Sequence, residues 1–498
     1  MPASRRSPNV VLVISDEQRA DTMPGVRAAD VSTPHLEWLA AQGTLFRNAF
    51  CPTPICSPAR ASLLSGLYPH NTGMVANHQE RPISDEIHLS PDVQLLADYL
   101  QPLGYACAYT GKWHLGTGGD RRGFSDFASR ASVYDVDGPE QNDILRFSQQ
   151  VGVTIGQKLG GHDADPATFD RRINVGTSLL PLAHHPSVIH ARAASRFVQQ
   201  MAETEQPFCL VYSCHEPHPS FVSPRPFDRM YDPADMPLPE TRHDNVGPHL
   251  LRHRASGGLK STVDMPLDDD DLRAIWAAYY GAVSYVDHLV GIILATLIET
   301  EQWDDTLFIF SSDHGDMMGS HGLLYKGAVL YEELVNIPLL IRAPGGLPAA
   351  HQTQRLATHV DLVPTILGWC GASVPGELQG ADLRALATGG DEPVHDGIAL
   401  EYHSNNWRER PAPLRGWRTE EWKYVETIGG DDELYDLRAD PLERDNLLDD
   451  PAAGDARRQM QAALATWREQ TGDPWPEVPV PDRFVVGPRE RQRQAGGT

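Results

Sequence analysis

In the string Cys56-Ser-Pro-Ala-Arg60-Ala-Ser-Leu-Leu-Ser-Gly66, a cysteine stands at the expected start of a helix with an arginine one turn further on. Free N–H groups and the dipole at a helix N-terminus favour anions, and Arg60 would help hold an oxyanion. Those two residues alone are better read as a buried thiol beside a solvated guanidinium. Asp16-Glu17 directly follows a short β-branched run. Adjacent carboxylates at a strand end suit a hard cation that wants oxygen ligands, and they also suit a solvated turn. In Gly111-Lys112-Trp113-His114-Leu115-Gly116, Lys112 and His114 are two residues apart, and on an extended segment both can face one pocket. His218 closes the string His215-Glu-Pro-His218-Pro, where the following proline restricts its backbone; His215 reads as structural. Ser312-Asp313-His314-Gly315-Asp316 offers an acid and an imidazole at a further strand end, able to complete a cation site begun by Asp16 and Glu17. Lys326 and Asn77 are polar loop residues, the latter downstream of the Cys56 helix and able to touch a substrate.

The elements that must position these residues alternate in type. Residues 10–14, 105–109, 208–212, 307–310 and 337–341 read as strands, and 188–201 and 270–298 as helices, with a further helix behind Ser90-Pro91 that Gly104 ends. Such alternation predicts a largely parallel sheet with helices on both faces, and ligands gather at the carboxyl ends of its strands. Residues 117–185 and 219–265 are rich in Gly, Pro, Asp and His and lack periodicity, so they read as long functional loops. Beyond residue 380 the rhythm changes to short antiparallel strands at 422–425 and 434–435 and a helix at 452–469. The expected division is therefore 1–378, a smaller α+β unit at 379–480, and an Arg/Gln/Gly-rich tail at 481–498 that is disordered or an arm on a neighbouring subunit.

The chain has 498 residues, with 42 Lys+Arg against 67 Asp+Glu, a net charge of −25. That balance argues against nucleic-acid binding, which rests on neutralising phosphates. It does not exclude an anionic substrate, because a few cations inside one pocket can outweigh a diffuse surface field. No run approaches the ~18 consecutive apolar residues of a membrane span. The basic stretch 1–7 runs into 9–14, too short and too β-branched for a signal-peptide core and without a small-residue cleavage site. These features predict an uncleaved, cytoplasmic chain. Cys51, Cys56, Cys107, Cys209, Cys214 and Cys370 form no CxxC pair and read as reduced structural thiols, with Cys56 set apart.

Cys56-x-Pro-x-Arg60 followed by Ser65-Gly66 resembles the signature of the sulfatase family in the alkaline-phosphatase superfamily. The segments at Asp16, Gly111–Gly116, His218 and Asp313-His314 match the same family in order. Leu434-Tyr-Asp-Leu-x-x-Asp440-Pro-x-Glu443-x-x-Asn446-Leu resembles its C-terminal domain, so the matches run from residue 10 to about 447. One departure is Glu17, where the family usually has a second Asp. The resemblance implies an α/β, alkaline-phosphatase-like sandwich with a central mostly parallel sheet and a smaller α+β C-terminal domain. It implies hydrolysis of a small sulfate monoester by a formylglycine made from Cys56 by a formylglycine-generating or maturase enzyme. Asp16, Glu17, Cys56 as formylglycine, Asp313 and His314 would hold one divalent cation, Ca2+ in most of the family, with Mn2+, which the imidazole of His314 would also suit, or Mg2+ as alternatives. His218 or Lys326 would protonate the leaving oxygen, His114 would take the proton of the second hydroxyl, and Lys112 would hold the anion. Homo-oligomerisation fits the resemblance, and no nucleic-acid or membrane partner is expected. Two other readings compete. One is a phosphonate monoester or phosphodiester hydrolase of the same superfamily, a branch that tends to carry neutral side chains where this chain has Lys112 and His114. The other is a non-enzymatic binding member, which would have lost its nucleophile or a ligand; none is lost here.

Overall fold

A computed structural model describes residues 7–25, 31–77, 89–116, 122–124, 126–130, 154–159, 173–244, 260–261, 267–347, 349–403, 413–428 and 432–476. Its main sheet has eight strands: β1 (Asn9–Asp16), β2 (Thr44–Phe50), β3 (Ala106–Lys112), β4 (Asp126–Arg130), β5 (Phe208–Pro217), β6 (Thr306–Ser312), β7 (Leu339–Arg342) and β8 (His351–Thr358). Their spatial order is β8-β2-β7-β6-β1-β5-β3-β4. β1 pairs in parallel with β6 and β5, β5 with β3, β3 with β4, and β2 with β8. Only β7 runs against its two neighbours, β6 and β2.

β1 is apolar throughout because it is covered on both faces. Val10, Leu12 and Ile14 enter one core, with Leu63 and Leu64 of helix α1 (Cys56–Ser65) and Ile366 and Leu367 of α4 (Leu362–Trp369). Val11 and Val13 enter the other, with Val198 of α2 (Pro186–Ala202) and Leu289 and Ile293 of α3 (Asp269–Glu299). Asp268 and Asp271 form a capping box that starts α3. By length and composition α3 could cross a bilayer, but most of its apolar stretch is buried inside this protein.

The C-terminal unit is a four-stranded antiparallel sheet, β9 (Ile398–Tyr402), β10 (Leu414–Arg418), β11 (Trp422–Thr427) and β12 (Glu433–Asp436), packed against α5 (Gly454–Thr471). The α/β sandwich with a smaller α+β partner is thus the observed fold. Two expectations need correction. The stretches 117–185 and 219–265 are not loops throughout: β4 lies in the first, and Thr154–Leu159, Ile173–Ser178 and Phe221–Pro224 form a separate three-stranded sheet. Their mixed polar and Gly-containing sequences hide a strand that is held by non-local pairing. The run at 337–341 is a strand, but an antiparallel one, since no crossover helix separates it from β6. The tail 481–498 lies outside the described residues. All six cysteines are free and buried.

One glycine governs how closely β3 approaches β5. Gly111 lies opposite Ser213 with φ 100°, and a Cβ there would fall 1.9 Å from the Ser213 carbonyl oxygen. Gly111→Ala should therefore cost at least ~3 kcal/mol, overpacking adding to backbone strain. A lower midpoint in urea unfolding is the expected readout.

Candidate active site

Five parallel-running strands deliver their carboxyl ends to one edge of the sheet. Asp16 ends β1, Lys112 ends β3, His215 and Pro217 lie at the end of β5, and Asp313 follows β6. The chain leaving β2 enters α1 at Cys56. Because β7 runs back from this edge, the whole segment between β6 and β7 lies there too, and it carries Lys326.

α1 starts without a cap of its own: the Ser57 N–H donates to the Asn77 carboxamide oxygen at 3.0 Å. That oxygen serves the helix, while substrate contact by Asn77 stays a proposal. Arg60, fully buried on the next turn, ties four strand ends together. Its Nε donates to Asp313 Oδ2 at 2.9 Å, and one terminal nitrogen donates to Ser213 Oγ at 2.6 Å and to the Lys112 carbonyl at 3.2 Å. The other terminal nitrogen is 3.7 Å from Asp16 Oδ1. The Lys112 ammonium pairs with Asp16 Oδ2. Asp313 Oδ1 accepts the backbone N–H groups of Glu17 at 3.0 Å and His314 at 2.9 Å.

The Gly315 carbonyl, only an acceptor, lies 2.8 Å from His314 Nδ1. Nδ1 must then carry the proton, which leaves the Nε2 lone pair facing Cys56 Sγ at 3.2 Å. Lys326 Nζ donates to the same sulfur at 3.1 Å and pairs with Glu17. His218 Nε2 is 3.0 Å from Glu17 Oε1. Its neighbour His215 has its ring centroid 4.7 Å from that of His218.

Charge in this site is perturbed throughout. Burial raises the Asp16 carboxyl, but Lys112, His218 and Arg60 outweigh it and hold it well below the usual range. Burial and the charge of Asp16 push Asp313 up to about 6. Burial disfavours the charged Lys112 ammonium, yet Asp16 keeps its pKa raised. Lys326 is pushed down to about 8 by burial, against the pull of Asp16. Burial brings His218 down to about 4, more than Asp16 offsets. The Cys56 thiol is driven well up by burial and by the carboxylates of Asp16 and Asp313, although Lys112 opposes them. Burial and the carboxylates thus keep Cys56 a neutral thiol, against the pull of Lys112 and Arg60.

Ligand-capable atoms of Asp16, Cys56, Asp313 and His314 all lie within 4.8 Å of one another. Asp16 Oδ1 and Glu17 Oε2 are buried without a hydrogen-bond partner among the described residues. Carboxylate oxygens with one oriented imidazole fit a divalent cation. Glu17, expected beside Asp16 as a ligand, groups instead with Cys56 and His218. Its backbone has turned to φ 64°, with its carbonyl accepting from the Tyr279 hydroxyl at 2.8 Å, and this carries the longer side chain toward Lys326. His114 is also not on an extended segment: Trp113 fills the core at 1% exposure, and His114 turns to φ 59°. The alternation that would aim Lys112 and His114 into one pocket therefore stops at Trp113.

Sequence reasoning passed over His215 and Ser213. His215 feels Lys112 and Asp16 directly, and burial together with His218 and Lys112 drives its pKa well down. Its spacing of three from His218 was the available signal. Ser213 had none, because its role depends on the register that sets it beside Arg60.

Residues 8–372 match the family model described as Sulfatase, and residues 319–470 match one described as N-sulphoglucosamine sulphohydrolase, C-terminal. The chain is 30% identical to the multifunctional alkaline phosphatase superfamily protein PehA of Trinickia caryophylli, over 93% of this chain and 96% of that one. It is 28% identical to a choline-sulfatase of Rhizobium meliloti, over 94% of this chain and 87% of the relative. Among solved structures, the phosphonate monoester hydrolase of Agrobacterium radiobacter superposes with a TM-score of 0.74 at 28% identity, covering 93% of this chain and 96% of that one.

Arg60, with Lys112, is the counter-charge that permits Asp16 and Asp313 to be buried together. Arg60→Met should lower the stability of chelator-treated protein by ~3–5 kcal/mol, the usual cost of orphaning a buried charge. Excess divalent cation should shrink that loss, since it supplies counter-charge to the folded state alone. Urea unfolding with and without the cation measures both quantities.

Proposed function

The chain belongs to the sulfatase family, whose members hydrolyse sulfate esters, and we propose that it cleaves sulfate monoesters with a nucleophile made from Cys56 by oxidation to formylglycine. The observation that carries this reading is the placement of Cys56 Sγ, at the start of α1, 3.2 Å from His314 Nε2 and 3.1 Å from Lys326 Nζ beside the buried Asp16–Arg60–Asp313 cluster. Formylglycine supplies a hydrated aldehyde as nucleophile, and a divalent cation, Ca2+ by family habit with Mn2+ or Mg2+ as alternatives, supplies Lewis-acid polarisation. Asp16, Asp313 and His314 would hold that cation together with residue 56, and Glu17 is the further carboxylate assigned to it.

The remaining roles belong to this chain's own side chains. Lys112 and Arg60 bring positive charge to the non-bridging oxygens of the ester. Lys326 and His218 stand on the Glu17 side of residue 56, and one of them gives a proton to the departing oxygen. Of the two, Lys326 reaches the sulfur at residue 56 directly. His114, just past Lys112, is assigned the role of the base that takes the proton of the second hydroxyl at residue 56, so that sulfate can leave. A small sulfate ester is the substrate, a formylglycine-generating or maturase enzyme acts on Cys56 beforehand, and the cytoplasm is the proposed location.

A second reading is favoured by the likeness to the Agrobacterium phosphonate monoester hydrolase and to the multifunctional PehA. It keeps the same nucleophile and cation but takes a phosphonate monoester or phosphodiester. Such an ester carries the same single negative charge as a sulfate monoester but on two non-bridging oxygens instead of three, with a bulkier group in place of the third, so Lys112 and Arg60 have one oxygen fewer to meet. With 4-nitrophenyl sulfate and 4-nitrophenyl phenylphosphonate compared at one pH, we expect the higher kcat/KM for the sulfate and a larger loss on Lys112→Ala with the sulfate. A phosphonate rate about tenfold above the sulfate rate, ~1.4 kcal/mol in barrier, would transfer the assignment to the second reading. In either case Cys56→Ala should lower kcat at least ~10³-fold, the order seen when a nucleophile is removed. Intact-mass measurement of active protein should show the CH2–SH of residue 56 replaced by CHO.

A further inference from the structure

A second buried cluster of charge joins the C-terminal sheet to the chain just beyond Lys326. Lys423, fully buried on β11, donates from Nζ to the Leu330 carbonyl at 2.8 Å and to Glu332 Oε1 at 3.0 Å, and it pairs with Glu443 Oε1 at 2.5 Å. The other oxygen of Glu443 accepts the Glu332 backbone N–H at 2.7 Å. Arg418 on β10 donates to Glu332 Oε2 at 3.2 Å and lays its guanidinium 4.6 Å over the ring of Phe50, the last residue of β2. Glu443 is the glutamate of the Leu434–Leu447 motif, to which the chemistry above gives no part.

What this cluster holds is the segment between β6 and β7. Lys326 is six residues before Glu332, and its ammonium is at the Cys56 sulfur. Past Glu332, the Leu334 carbonyl accepts the Gly315 N–H at 2.8 Å and the Val335 carbonyl accepts the Cys51 N–H at 2.9 Å. The fit is close: a Cβ on Gly315 would fall 2.0 Å from the Glu333 carbonyl oxygen. Within the segment, Tyr331 stacks on His321 with ring centroids 4.1 Å apart and planes 7° from parallel. Well-packed apolar side chains would stabilise such an interface at least as well as buried ions. Ions with several fixed hydrogen-bond partners allow one arrangement, where an apolar contact allows sliding.

We propose that Lys423, with Glu443 and Glu332, is a positioning residue that sets Lys326 against residue 56, so that the C-terminal domain is a working part of the active site. The inference rests on the ester-hydrolase reading given above. A displacement of ~1 Å at a reacting group costs on the order of 10²-fold in rate, which is the scale at stake.

The test is a double-mutant cycle on the fully matured, metal-loaded enzyme, using whichever of the two 4-nitrophenyl esters the wild type turns over faster. Lys423→Met should lower kcat by roughly 10- to 100-fold with little change in KM. Lys326→Ala should lower it at least as far. The double variant should be no worse than Lys326→Ala within about threefold, because the distant residue acts through the near one. Losses that multiply instead would overturn the proposal, since a merely structural defect would add to the loss of Lys326. Should Lys423→Met fail to fold, Glu443→Gln carries the same cycle: it removes the charge facing Lys423 but keeps an acceptor for the Glu332 N–H. A switch of preferred ester overturns the sulfate assignment and leaves this inference standing. A wild type that hydrolyses neither ester overturns both.

Discussion

Asp16 and Asp313 are fully buried, and a carboxylate can be ionised in such a place only if a cation comes with it. Lys112 supplies it for Asp16, Arg60 supplies it for Asp313 and lies near Asp16 as well, and the demands of Arg60 fix much of the architecture. One guanidinium touches the residue after β6, a side chain of β5 and the carbonyl that ends β3, and it lies near the carboxylate that ends β1. The helix carrying it must therefore dock with its first turn against the carboxyl edge of the sheet, which fixes where Cys56 can stand. Gly111 gives way at the same spot, letting β3 approach β5 closely enough for one side chain to reach both.

Around this tie the formal charges balance. Asp16, Glu17 and Asp313 face Arg60, Lys112 and Lys326. A divalent cation added among the carboxylates would leave the pocket electropositive, which an anionic ester needs from a protein whose surface is strongly acidic. The antiparallel β7 contributes by topology. A crossover helix after β6 would carry the chain to the far edge of the sheet, whereas the observed return keeps Lys326 and the Gly315 contact at the near one. The C-terminal sheet then closes over this returning segment through Lys423 and Glu443.

What could be read from the residues follows burial. β1, α2 and α3 announce themselves because their apolar positions are set by packing on known faces, and the strand-end motifs mark Asp16, Cys56, Arg60, Lys112, Asp313 and His314 as neighbours. β8 has alternating polar residues over most of its length and hides in the sequence. The small three-stranded sheet hides too, since its pairing joins segments far apart along the chain. Which carboxylate meets which cation was not legible either. Glu17 turns toward Lys326 and His218 because of a left-handed backbone at the end of β1, and Ser213 joins Arg60 only through the register of β5 on β3. Backbone turns and register depend on the assembled sheet, and local residue types do not encode them.

The state of residue 56 follows from the same electrostatics. An anionic sulfur at this position would face two buried carboxylates in a site with little water, and the thiol pKa is accordingly driven well up. Lys112 and Arg60 pull the other way, and burial together with the two carboxylates outweighs them. A neutral side chain at 56 meets no such penalty, and an oxygen-bearing one suits a hard cation better than sulfur does. A divalent cation held by Asp16, Asp313 and His314 would add positive field beside residue 56 and would ease loss of a proton from an adjacent hydroxyl. The pocket as built thus favours a neutral group at residue 56 over an anionic sulfur.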